Sequence, residues 1–77
     1  MRALETLVAV ADTGGFSAAA RQLSISAPSV TRVIQELETD LGVTLFHRTT
    51  RTVTLTDAGD AFVADARQLI EQYQAAT

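Results

Sequence analysis

Apolar positions fall into helical spacing over most of the chain, interrupted once by a β-prone stretch. Residues 2 to 11 place Leu4, Leu7, Val8 and Ala11 at helical rather than alternating offsets, and "DTGG" at 12 to 15 ends that helix with two permissive glycines. Ser17 stands directly before "AAARQL", where its hydroxyl would cap a second helix of about two turns ending at Leu23. "SIS" at 24 to 26 is a tight connection, with Ser26 as the next cap and Pro28 in the following first turn, where a missing N–H costs nothing. Val30, Val33, Ile34, Leu37 and Leu41 then follow the offsets 0, 3, 4, 7 and 11, a single apolar stripe. At about 100° per residue, Pro28, Arg32, Gln35 and Thr39 fall opposite the stripe, with Ser29 and Thr31 on its flanks.

Gly42 closes this third helix, and residues 43 to 55 form two short β-prone runs around a polar tip, the pattern of a hairpin. Thr56 is placed to cap a last helix, with Asp57 and Asp60 in its first turn, where the helix dipole favours anions. Phe62, Ala66, Leu69, Tyr73 and Ala76 are spaced 4, 3, 4 and 3, the repeat of a coiled-coil seam. The expected fold class is mainly α with a small β-hairpin.

Seventy-seven residues make one small domain, with too little interior for both a core and an enzyme pocket. The hydrophobic fraction of 47%, much of it alanine, is that of a globular helical chain. Without cysteine, neither a disulfide framework nor a thiolate metal site can hold it together. Arg2, "LVAVA" at 7 to 11 and "AAA" at 18 to 20 mimic a secretory signal. Glu5 and Asp12, however, bracket an apolar run too short for one, and no stretch is long enough to span a membrane. A cytoplasmic protein is expected. The net charge of −3 argues mildly against a nucleic-acid partner.

Two helices joined by a three-residue turn, the second exposing hydroxyls, an amide and an arginine, have the geometry of a helix-turn-helix, whose second helix enters the major groove. An ordinary helical corner with a solvated outer face fits the same pattern equally well. Charge placement moves the balance. No acid lies between Asp12 and Glu36, where Arg21 and Arg32 fall, or between Asp40 and Asp57, where His47, Arg48 and Arg51 fall. What a phosphate feels is the field within roughly one Debye length, about 8 Å. Arg48 and Arg51 flank Thr49 and Thr50 at the hairpin tip, where an arginine suits the minor groove and the hydroxyls suit phosphate. Residues from Glu36 onward are expected to face away from the bases or to brace the core. His47, the only histidine, completes no metal site, and no nucleophile has an assigned base. No cofactor, metal or enzymatic activity is expected.

The stretch "FSAAARQLSISAPSVTRVIQELETDLGVTLFHRTTRTVTLTDAG", residues 16 to 59, resembles the winged helix-turn-helix domain of LysR-type transcriptional regulators. Its most specific parts are "AAARQLSIS", "PSVTR", "LGVTLFHRTTR" and "LTDAG", in this order and spacing. The resemblance implies a winged helix-turn-helix over residues 1–57 followed by a long linker helix over 58–77, with 27 to 41 as recognition helix and 43 to 55 as wing. It implies double-stranded operator DNA as partner, met by Ser17, Ser26, Ala27, Pro28, Ser29, Thr31, Arg32, Gln35, Arg48, Thr49, Thr50 and Arg51. It further implies a homodimer on an inverted repeat, paired through Phe62, Ala66, Leu69, Ile70 and Tyr73 of the last helix.

Two departures bear on this. Many members carry glutamine at position 27, and this chain has Ala27, whose methyl can at most touch a thymine methyl, so base readout shifts toward Arg32, Gln35 and the flanking hydroxyls. Members also carry a C-terminal effector-binding domain, which a sequence ending at Thr77 lacks. An excised DNA-binding domain is expected, with any small-molecule effector bound only by the missing part. The rival reading, supported by the net acidity, is a winged-helix protein-interaction or oligomerisation module that never contacts nucleic acid.

Overall fold

The computed structural model describes residues 2–48 and 53–76, except the side chains of residues 74 and 76. Its elements in chain order are α1 (Arg2–Thr13), α2 (Phe16–Leu23), α3 (Ala27–Leu41), β1 (Phe46–Arg48), β2 (Val53–Leu55) and α4 (Asp57–Ala76). Helix α1 is the hub, packing on α2, α3, α4 and β2. Leu7 and Val10 of α1, Ala19 and Ala20 of α2, Val30 and Ile34 of α3, Leu45, Phe46, and Val63 and Ala66 of α4 form one buried core. The paired alanines of α2 leave room for α1 to approach closely, and the longer side chains on α1 and α3 fill the interior. Thr6 is the one buried polar residue among those described, and its Oγ1 donates to the Arg2 carbonyl at 2.8 Å.

The chain departs from the sequence expectations at several joints, each with a local cause. Helix α1 continues past residue 11 because Thr13 Oγ1 donates back to the Ala9 carbonyl at 2.7 Å, and Gly14, at φ +76°, closes the helix onto Val10 at 2.9 Å. Ser17 is not the cap of α2. The helix starts two residues earlier than expected, at Phe16, with extended Gly15 in the cap position and no side-chain cap bond. The hairpin is shorter than residues 43 to 55, with register Phe46 to Leu55, His47 to Thr54 and Arg48 to Val53. Its ladder stops at Leu45 because that N–H is taken by the Glu38 carboxylate at 2.8 Å instead of by β2. Leu41, the last member of the α3 stripe, is 41% exposed and lies outside the core.

The start of α4 is pinned to the root of the hairpin. Thr56 N–H donates to the Leu45 carbonyl at 3.0 Å, Thr56 Oγ1 donates to the Thr44 carbonyl at 2.6 Å, and the same oxygen accepts the Gly59 N–H at 2.9 Å, the expected cap. This junction explains the glycine of "LTDAG". A Cβ at Gly59 would overlap the Leu45 carbonyl oxygen and come within 2.9 Å of its carbon and 3.1 Å of Leu55 Cδ2. The neighbours in that overlap are backbone, which cannot rotate away. Helix α4 then gives Val63 and Ala66 to the shared core, with half-buried Phe62 packed against it.

Gly59→Ala is therefore expected to cost about 3 kcal/mol or more, out of a total of about 4 to 12 kcal/mol for a domain of this size. Urea unfolding checks it as a lowered midpoint at unchanged slope.

Candidate nucleic-acid interface

The turn between α2 and α3 is built from Ser24, Ile25 and Ser26. Ser24 adopts the left-handed conformation at φ 60°, its N–H reaching the Arg21 carbonyl at 3.3 Å, while Ile25 N–H closes onto the Ala20 carbonyl at 3.0 Å. Half-buried Ile25 packs on the core and fixes the angle between the helices. Ser26 then caps α3, its Oγ accepting the Ser29 N–H at 3.2 Å and sharing a hydrogen bond with Ser29 Oγ at 2.8 Å. Pro28 occupies the first turn of α3, as expected.

Pro28, Ser29, Arg32 and Gln35 share the exposed outer face of α3, together with Thr39. Thr31 is half-buried at its edge and donates its hydroxyl to the Ala27 carbonyl at 3.2 Å. Ala27 is half-buried and packs against the core. Three hydroxyls of this stretch are already engaged within the protein. Among the described residues, Arg32 and Gln35 are the long polar side chains of this face with no protein partner. Ser17 is exposed at the start of α2, beside Arg21 on the same helix.

The wing root is held differently from the expectation. Arg48 is not a free cation. Its Nη2 donates to Glu38 Oε1 at 3.0 Å, and its guanidinium carbon lies 5.0 Å from the centre of the Phe16 ring. Phe16 in turn meets Phe46 edge to face at 6.3 Å. The other oxygen of Glu38 accepts the Leu45 N–H at 2.8 Å and the Phe46 N–H at 3.4 Å. The expectation that acids from Glu36 onward face away or brace the core is met by Glu38 in this specific form. Thr49, Thr50 and Arg51 lie outside the described residues.

On the far side, Arg67 of α4 pairs with Asp12 at the end of α1, and that hydrogen bond raises the guanidinium pKa further above its ordinary value. The pair is half-exposed and worth at most about 1 kcal/mol, but it neutralises Asp12 at the end of α1. The expected seam on α4 is split. Ala66 is 1% exposed and sits in the domain's own core, so it is not available to a partner, and Phe62 is half-buried against that core. Leu69 and Tyr73 are 51% and 57% exposed, and Ile70 is half-buried. The side chain of Ala76 lies outside those described. No helix of the described residues is long and apolar enough to cross a membrane, and no group of three metal-ligating side chains occurs among them.

Phe16, Glu38, Thr44 and Gly59 were not singled out as site residues by sequence reasoning. The available signal was Glu38 itself, an acid beside the apolar stripe, where a charge requires a partner.

Comparison with known proteins bears on the same surface. The family model described as a bacterial regulatory helix-turn-helix protein of the lysR family matches residues 1–60. The transcriptional regulator TfdT of Cupriavidus pinatubonensis is 53% identical over 74 residues, covering 96% of this chain and 32% of its own length. ClcR of Pseudomonas putida is 56% identical over 69 residues, covering 90% of this chain and 24% of its own. The chain thus spans about a quarter to a third of these relatives. The CbnR DBD–DNA complex superposes with a TM-score of 0.95 at 45% identity, over 97% of this chain and 86% of that one. The BenM DBD bound to benA site 1 DNA gives 0.92 at 36% identity, over 96% and 83%.

Ser26→Ala removes the cap of α3 and is expected to destabilise the domain by about 0.5 to 2 kcal/mol. Ser29→Ala, which leaves the Ser29 N–H in place, should cost less than that. Thermal unfolding of the two variants side by side checks the order.

Proposed function

The chain belongs to the LysR family of bacterial regulatory helix-turn-helix proteins and is the DNA-binding domain of such a transcriptional regulator, and from this premise we propose how it reads DNA. Helix α3 lies in the major groove with its N-terminal half toward the bases. Arg32 and Gln35 supply the base contacts, while Pro28 and Ser29 pack at the groove wall. The observation that carries this reading is the outer face of α3: exposed, free of acids as far as Gln35, and carrying two long donors with no partner among the described residues. Ser17 and the open start of α2 suit a backbone phosphate, and Arg51, by the family resemblance, takes the minor groove. Two copies bind an inverted repeat in the bacterial cytoplasm, each reading one half-site.

The proposed dimer is held through α4. Leu69 and Tyr73 project from one face, four residues apart, beyond the part of the helix that the domain covers, with Ile70 at the margin. Exposed apolar side chains at this spacing suit a second helix. Ala66 takes no part, and Phe62 contributes at most an edge.

Arg32→Ala is expected to cost roughly 1 to 3 kcal/mol of specific binding and to flatten preference at the base pairs it reads. Selection from random duplexes, followed by titration of the selected site, measures both. A wild-type domain with no salt-sensitive binding to any duplex would remove the DNA reading for this chain. Leu69→Glu should leave a folded monomer in sedimentation at concentrations where the wild type is a dimer. An unchanged sedimentation coefficient would place the interface elsewhere.

A further inference from the structure

We propose that Glu38 is a positioning residue that withholds Arg48 from the DNA backbone and uses it to lock the wing onto the helix-turn-helix; the proposal rests on the DNA-binding reading above. A wing arginine next to a polyanion would ordinarily be counted among the phosphate ligands. The surroundings of Arg48 give it another role. One edge of its guanidinium is held by Glu38 Oε1, and one face lies over the Phe16 ring. Its side chain is 35% exposed, and that of Glu38 18%.

Glu38 is in turn immobilised. Two consecutive backbone donors, Leu45 and Phe46, fix its Oε2, so the carboxylate cannot follow Arg48 toward solvent. Four side chains from three elements therefore form one stack: Glu38 of α3, Arg48 of β1, Phe16 of α2 and Phe46 of β1. This stack touches both helices of the helix-turn-helix and the first strand of the wing. For Arg48 to serve a phosphate it would have to give up a charge-assisted hydrogen bond to an anchored carboxylate for one to a mobile, hydrated oxygen. The pair is electrically neutral, so it adds nothing to counterion release.

The salt dependence of binding separates this role from a DNA contact. Each phosphate neutralised contributes about one to the slope of log affinity against log salt. The measurement uses the dimeric domain on one selected duplex, titrated across a salt series, with slopes compared per subunit. Arg48→Gln is expected to leave the slope unchanged while loosening the wing. Glu38→Gln keeps an oxygen for the Leu45 and Phe46 donors and releases Arg48, and is expected to steepen the slope by about one. The double variant should return to the wild-type slope, because the steepening belongs to the freed arginine. A slope shallower by about one in Arg48→Gln overturns the proposal, since Arg48 would then be a phosphate ligand. An unchanged slope in Glu38→Gln, or a double variant that stays steep, overturns it as well. Should Glu38→Gln fail to fold, the Arg48→Gln slope alone decides. Loss of salt-sensitive binding in the wild type is a different result and tests the DNA reading instead.

Discussion

The carboxylate of Glu38 is the constraint on which the geometry of the proposed DNA-facing surface depends. One oxygen takes two backbone N–H groups at the root of the wing and the other takes an arginine from the first wing strand. The helix that carries Glu38 is the helix whose outer face bears Arg32 and Gln35. Rotation of the wing relative to α3 would therefore break hydrogen bonds to an ionised, partly buried acceptor, which are among the stronger polar interactions in a small domain. The short ladder follows from the same arrangement, because the Leu45 N–H given to Glu38 is lost to β2. Donation from the Thr56 hydroxyl and N–H to the Thr44 and Leu45 carbonyls completes a belt from α3 through the wing root to α4.

The belt also resolves how a chain of net charge −3 presents a face fit for a polyanion. Asp12 is matched by Arg67, and Glu38 by Arg48. Asp57 and Asp60 sit in the first turn of α4, against the positive end of its dipole. What remains on the outer face of α3 is Arg32 with no acid before Glu36. The overall charge is a sum over surfaces that a DNA duplex does not touch together.

Much of this was legible from spacing. The cap at Ser26, the proline in the first turn, the stop at Gly42 and the cap at Thr56 are local rules, and they hold because each involves residues within one helical turn; the apolar stripe of α3 meets the core at Val30, Ile34 and Leu37 but not at Leu41. The errors are non-local. Ser17 has the chemistry of a cap, but Gly15 takes that position, and Phe16 begins the helix with its ring against Phe46. Ala27 is named only through the family resemblance, and its packing against the core is visible only in the fold. The seam on α4 is a regular repeat, and only the fold shows that its first half, at Phe62 and Ala66, is already covered by α1 and the wing. Glu38 and Arg48 are ten residues apart across a turn, a separation that no periodicity encodes. Glu38 lies about 80° from Val30 on the helical projection, nearer the stripe than the outer face, and that was its one visible mark.

The close approach of Gly59 to Leu45 has a mechanical meaning for a dimer built on α4. The first turn of that helix is fused to the wing root by backbone contact and two hydrogen bonds from Thr56, with no spare residue between them. A linker of that kind has no hinge at its base. In the proposed α4 dimer, any difference in half-site spacing between two operators would then be absorbed where the two helices cross, or by bending the duplex, and not by swivelling of each reading head on its stalk.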